Sequence, residues 1–195
     1  KFCYFGKAAL AALNYLDWTP DVVHCHDWQA ALVPLYLRTC FKDSNVGRAS
    51  CVLTIHNLRF QGSMIERLFS TGQDFLIMYF NKDCLTQNWL DANMLKGGIT
   101  YSNVVTTVSN TYAGEIQTEE YGEGLEEHLR YHHNKLVGIV NGIDTDIWNP
   151  ATDKLLAAPY NSQNVIENKK ANKKALQESL GLEVDDHKIV IGLIS

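Results

Sequence analysis

Apolar positions recur at three- and four-residue spacing through residues 2–18, at Phe5, Ala8, Ala9, Ala12, Leu13 and Leu16. That rhythm predicts an amphipathic helix packed on a sheet, stopped by Pro20. The next stretch, Asp21-Val22-Val23-His24-Cys25-His26-Asp27-Trp28, runs from β-branched residues into a polar cluster, so it reads as a buried strand with His24, His26 and Asp27 at its carboxyl end. A helix over residues 29–40 follows, then a polar loop over 42–48. Residues 49–55 are nearly continuously apolar through Cys51, Val52, Leu53 and Ile55, the pattern of a strand covered on both faces. It too ends on polar residues, His56 and Asn57.

Residues 59–88 have no clean period and are expected to form a long loop with short helices. Helical spacing returns over 92–101, and residues 104–108 form a third β-branched strand, after which Ser109 can cap a helix starting at Asn110. A short helix is expected over 125–132 and a fourth strand over 136–140. The turn Asn141-Gly142-Ile143-Asp144 follows it, with glycine supplying a positive φ and Asn or Asp tolerating one. From residue 161 the chain turns polar, with Ser162 as cap, Val165, Leu176 and Leu180 as a thin apolar stripe, and Gly181 as stop. This helix reads as a connector to a last strand at residues 189–194. Strands alternating with long crossovers predict an α/β fold, an open parallel sheet with helices on both faces. The final strand has no helix after it, so it is expected to open a second domain, and both ends of the chain look cut.

Composition narrows the function classes. The 195 residues are 46% hydrophobic and 20% charged, enough for one ordinary core, and no apolar run approaches the roughly 20 residues of a membrane helix. No membrane partner is expected. A formal charge of −5 gives no basic footprint, and Lys169, Lys170, Lys173 and Lys174 read as a solvated helix face, so nucleic acid is not an expected partner. The five cysteines, Cys3, Cys25, Cys40, Cys51 and Cys84, are odd in number and contain no CxxC pair. Reduced, structural thiols and a cytoplasmic location follow, the plastid stroma being the alternative.

Three polar loops ending three parallel strands put candidate chemistry on the sheet edge where open α/β folds bind ligands. His24, His26 and Asp27 could hold a metal, since residues two apart on a strand face the same way, but no obvious further ligand stands nearby. The cluster also suits a polyol, the carboxylate accepting from hydroxyls while imidazoles donate. His56-Asn57 can be either a capping pair or part of that site. A phosphate-binding Walker loop, a GxGxxG fingerprint and a GxSxG elbow are all missing.

Several motifs in order then resemble one family. They are Pro20-Asp21-Val22-Val23-His24-Cys25-His26-Asp27-Trp28-Gln29, Thr54-Ile55-His56-Asn57-Leu58 with Gln61-Gly62, and Met94-Leu95-Lys96-Gly97-Gly98-Ile99. Thr106-Thr107-Val108-Ser109 with Tyr112, Asn141-Gly142-Ile143-Asp144, and Trp148-Asn149-Pro150-Ala151-Thr152-Asp153 complete the set. Together they look like the bacterial glycogen synthases and plant starch synthases, with little likeness over residues 63–88.

The resemblance implies a retaining glucosyltransferase of the GT-B type, built from two Rossmann-like domains, that moves glucose from ADP-glucose to the non-reducing end of an α-1,4-glucan. No metal and no other cofactor is expected. Residues 1–155 would be an incomplete N-terminal, acceptor-side domain, 156–186 an interdomain connector, and 187–195 the first strand of a nucleotide-binding domain. By the same likeness His56 and Asp27 are the catalytic candidates. His56 would lie against the transferred glucose, and Asp27 would contact the sugar or the acceptor. His26, Asn57, Asn141, Gly142 and Asp144 would bind substrate. The family's Gly-Gly loop and its Arg, Lys and Glu for the diphosphate and sugar are not in this sequence, so the chain alone is expected to be inactive. Two other readings remain at this stage: a related retaining transferase using another nucleotide sugar, and a non-catalytic glucan-binding module.

Overall fold

The computed structural model describes residues 1–16, 18–65, 86–88 and 91–194. By backbone proximity the chain divides into two units, Lys1–Asn141 and Gly142–Ser195.

The first unit is built on four parallel strands in the order β1-β2-β6-β7: β1 (Val22–His26), β2 (Ser50–Ile55), β6 (Val104–Thr107) and β7 (Leu136–Gly138). Three more, β3 (Ser63–Ile65), β4 (Thr86–Asn88) and β5 (Asp91–Asn93), pair antiparallel in the order β3-β5-β4. The open parallel sheet matches expectation, whereas the small antiparallel sheet corrects the loop expected over 59–88. Strands of three residues are too short to show a period of two. Residues 66–85, where short helices were expected, lie outside the described residues.

Burial differs between the two faces of the main sheet. Cys25, Cys51, Leu53, Ile55 and Val105 are buried in the core with Leu35, Tyr36, Leu37, Leu95 and Ile99. On the other face Val22, His24 and His26 are exposed and Val52 and Thr54 half-buried. Cover is thus complete on one face and partial on the other. Topology explains this, because right-handed crossovers between strands laid down in sequence order all deliver their helices to the same face.

Helix α1 (Phe2–Tyr15) buries Gly6 and Leu10, while Phe5 and Leu16 are exposed. The buried face is therefore Cys3, Gly6, Leu10 and Leu13, not the stripe read from the sequence. Gly6 makes the contact possible, since a Cβ there would stand 2.9 Å from Val33 Cγ2. The single helix expected over 29–40 is two, α2 (Asp27–Ala30) and α3 (Val33–Arg38). Pro34 sits in the first turn of the second, where its missing N–H costs nothing. Helix α4 (Met94–Tyr101) starts on Asn93, whose side chain accepts from the Lys96 amide. The expected Ser109 cap of α5 (Asn110–Glu115) is present, its hydroxyl accepting from Tyr112 N at 2.9 Å. At the amino edge of the sheet Arg38 donates to the carbonyls of Gly47 and Ala49 and to Asn103, a purely structural staple.

In the second unit α7 (Val165–Ser179) ends before Gly181, which has the expected positive φ of 65°. Its cap residue is Asn164 rather than Ser162, and Leu176 and Leu180 are exposed. Amides hold this helix instead: Asn172 Nδ2 donates to Ala158 O and Gln177 Nε2 to Asp185 O. Residues 189–194 are not a strand here, because a strand needs a ladder partner and none is present among the described residues. No helix among the described residues is long and apolar enough to cross a membrane.

Helix α6 (Glu126–Tyr131) carries an unusual electrostatic feature. Burial lowers His128 to about 4, helped by repulsion from His132, Lys96 and Lys135 and opposed by a hydrogen bond to the Lys96 backbone. Burial, then Lys135, lowers His132 to about 4. Thr100 Oγ1 lies 3.1 Å from His128 Nε2, and Lys135 donates to the carbonyls of Thr100 and Ser102.

Both rings are neutral when folded and bind fewer protons than in the unfolded chain between about 4 and the usual 6.5. Their contribution is therefore complete above the unfolded value and is lost as pH falls through the folded one. Urea unfolding at pH 4.5 should show stability lower than at pH 7 by on the order of 1–2 kcal/mol from this pair, the full linkage being reduced because the rings stay partly hydrated. His128→Gln, which keeps a partner for Thr100, should flatten part of that dependence. An unchanged pH profile in the variant would remove His128 as its source.

Candidate active site

Strands β1 and β2 pair in register with His26 opposite Thr54, so His26, Asp27 and His56 leave the sheet together at its carboxyl edge. The His56 amide is the first beyond the β2 ladder and needs an acceptor. Asp27 supplies it, Oδ1 accepting from His56 N at 2.8 Å. To reach there Asp27 adopts a left-handed backbone, φ 55°, a conformation that aspartate tolerates better than most residues.

The histidines form a second set of contacts. His26 Nδ1 and His56 Nε2 are 3.0 Å apart, and their rings stack at 5.3 Å between centroids. Partial desolvation, then repulsion from His24 and His56, lowers the basicity of His26 against the pull of Asp27, and its ring shares one proton bond with His56. His24 Nε2 meets Thr54 Oγ1 at 2.7 Å, and Thr54 Oγ1 meets Thr106 Oγ1 at 2.7 Å. A polar row thus crosses three strands of the less covered face.

Among the remaining sequence-predicted residues, Asn57 locks the turn behind the rim, its Oδ1 accepting from Arg59 N at 3.0 Å. Leu58 N donates to the Tyr112 hydroxyl, tying that turn to α5. Asn141 is exposed and lies three residues past the end of β7. Gly142 and Asp144 belong to the second unit. Gly142 is a correction: its φ is not positive and no atom crowds its Cβ position, so nothing in its backbone requires glycine. Asp144 caps a turn, Oδ1 accepting from the amides of Asp146 and Ile147. Among the described residues no group of three or more His, Cys, Asp or Glu is arranged to hold a metal ion. Asp27 and His26 are committed to the bonds above.

Sequence reasoning missed the wall beside this rim. Gly62, at φ 66°, brings the loop onto Trp28, where a Cβ would stand 2.4 Å from Cε3. Asn93 Nδ2 donates to Gln61 Oε1, and Gln61 Nε2 to Glu123 O, so a buried amide network fixes the loop from below. The usable signal was Gln61-Gly62 so soon after His56-Asn57: a polar residue and a turn glycine next to a strand-end cluster.

The family model of the starch synthase catalytic domain matches residues 1–131. The chain is 44% identical over 199 residues to a glycogen synthase of Lachnoclostridium phytofermentans, covering 100% of this chain and 41% of that protein. It is 47% identical over 195 residues to a glycogen synthase of Thermotoga petrophila, covering 98% of this chain and 39% of that protein. The chain therefore spans about two fifths of the length of these curated relatives. The solved catalytic domain of starch synthase IV from Arabidopsis thaliana, bound to ADP and acarbose, superposes with a TM-score of 0.79 at 40% identity. That match covers 96% of this chain and 38% of the other.

Gly62→Ala combines a forced left-handed alanine with a clash against the indole, and is expected to cost about 2–4 kcal/mol of stability. Equilibrium denaturation measures it. A loss within experimental error would show that the loop can leave Trp28 freely.

Proposed function

The chain belongs to the starch synthase catalytic domain family, and we propose that the full-length protein carrying it is a retaining glucosyltransferase acting on α-1,4-glucan with ADP-glucose as donor. The observation that carries this reading is the Asp27–His56 bridge at the carboxyl edge of the sheet, set in motifs of that family. ADP and acarbose in the Arabidopsis relative support a nucleotide-sugar donor and a glucan acceptor.

In this reading each group has a defined task. Asp27 Oδ1 fixes the His56 peptide, and its other oxygen can accept from a sugar hydroxyl. The His56 imidazole, steadied by His26, bonds the 6-hydroxyl of the transferred glucose, while its backbone carbonyl stabilises positive charge developing at the anomeric carbon. Asn57 holds the turn that presents His56, and Asn141 is assigned to the donor side. No metal is assigned a task. The unbridged thiols of Cys25 and Cys51, with sulfurs 3.9 Å apart, support a reducing compartment, the cytoplasm or a plastid stroma.

Full-length protein assayed against glycogen with ADP-glucose and with UDP-glucose tests the reading. Transfer from ADP-glucose is expected, transfer from UDP-glucose alone would change the donor, and transfer from neither would sink the proposal. His56→Ala is expected to lower turnover by about 10²–10³-fold with folding preserved. A folded variant of normal turnover would remove His56 from the mechanism.

A further inference from the structure

Strand β7 ends at Gly138, and Ile139 N gives the last amide held by the sheet, donating to Thr107 O at 2.7 Å. Beyond it the chain is unheld: among the described residues neither Asn141 nor Gly142 enters a hydrogen bond, through backbone or side chain, and both are exposed. No atom lies within 4 Å of the Cβ position of Gly142. Asn141-Gly142 is also the one Asn-Gly pair in the sequence.

This combination suits one reaction. The backbone nitrogen after an asparagine can attack the side-chain carboxamide and close a five-membered ring, because proximity within one chain replaces an encounter. The attack needs a carboxamide that is not tied up, an N–H not committed to a ladder or helix, and a following residue whose Cβ does not hinder closure. Asn141 and Gly142 meet all three. By contrast, Oδ1 of Asn57 accepts from Arg59 N, that of Asn149 from Ala151 N and that of Asn161 from Gln163 N. Asn149 also precedes Pro150, whose nitrogen has no hydrogen to give up. Asn168 and Asn172 lie within α7, where the following amides are bonded along the helix.

We propose that Asn141-Gly142 is a site of spontaneous modification, where the folded protein converts its own asparagine to aspartate and isoaspartate. In the first step Gly142 N bonds to Asn141 Cγ, the Cγ–Nδ2 bond breaks, and ammonia leaves with the proton that the peptide nitrogen gives up. The resulting succinimide takes up water. Cleavage of its N–Cγ bond gives aspartate, and cleavage at the Asn141 main-chain carbonyl gives isoaspartate, with the backbone rerouted through Cγ. Water is the one co-reactant, and nothing is oxidised or reduced. Either product sets a new carboxylate three residues past β7. Its effect on activity rests on the proposed donor-side role of Asn141: the new charge would oppose the anionic diphosphate of ADP-glucose.

The test incubates full-length protein at about pH 8 and 37 °C for several days and maps its tryptic peptides by mass spectrometry. The peptide of residues 136–154, released after Lys135 and Lys154, should gain the mass of NH2 replaced by OH, with aspartyl and isoaspartyl forms both at position 141. The change should run about tenfold or more faster than at Asn161, which precedes Ser162, a ratio equal to roughly 1.4 kcal/mol of barrier. Gly142→Ala, whose methyl group has room, should slow it by a similar factor. Equal rates at Asn141 and Asn161, or an unchanged rate in Gly142→Ala, overturn the proposal. Fresh Asn141→Asp should raise KM for ADP-glucose about three- to tenfold, and an unchanged KM overturns the effect on the donor. Wild-type protein that transfers nothing overturns the proposed function instead, and the peptide map, which needs no transfer, still decides the modification.

Discussion

The carboxylate of Asp27 reaching across to the amide of His56 is the constraint on which the candidate site depends. Parallel strands end with amides that no neighbour satisfies, and a loop there is free to wander unless something accepts from it. A charged acceptor makes this a strong hydrogen bond, of the class worth about 1.5–3 kcal/mol net, which offsets the roughly 1–2 kcal/mol of a left-handed aspartate. The turn at Asp27 also throws Trp28 toward the loop after His56. One bond therefore sets both the histidine and the neighbouring aromatic wall.

Behind that bond, the polar row on the less covered face converts histidines into fixed groups. His24, Thr54 and Thr106 satisfy one another across three strands, and His26 engages His56. Linked hydrogen bonds of this sort leave few alternative rotamers, and partial desolvation together with its imidazole neighbours lowers the basicity of His26. An imidazole already oriented has little reorganisation left to undergo when charge develops nearby, which is the physical basis of electrostatic catalysis.

The sheet was legible because its strands are β-branched and bounded by polar ends, and the order of motifs carried the rim from residue types alone. Ser109 and Gly181 were legible for a related reason: capping and left-handed termination depend on one residue and its immediate neighbours. Helix α1 was not, since a run such as Phe2-Cys3-Tyr4-Phe5-Gly6 offers several apolar faces and periodicity cannot choose among them. Gly6 decided the choice by allowing close approach to Val33, a property of the partner and not of the helix. The antiparallel sheet and the Gln61–Asn93–Glu123 network joined residues distant in sequence, and no local pattern encodes such pairings. In α7 the apolar stripe misled, because Asn172 and Gln177 supplied the attachments that leucines were expected to make.

The backbone itself marks the same region. Among the described residues of the first unit the positive-φ positions are Asp27, Gly62, Glu123 and Gly124, at 55°, 66°, 49° and 79°. Each is at the rim, on the wall beside it, or next to that wall. Two carry side chains, so they hold conformations that cost free energy and persist because other contacts over-determine them. The Asp27 carboxylate bond and the Gln61 bond to the Glu123 carbonyl are those contacts. Folding alone gives no reason for strain to collect at one place on the sheet edge while the opposite edge is stapled by Arg38 without any. Strain held in place by dedicated hydrogen bonds, at a rim where carboxylate and imidazole groups are exposed, is the arrangement expected where the fold trades stability for a surface that meets a ligand.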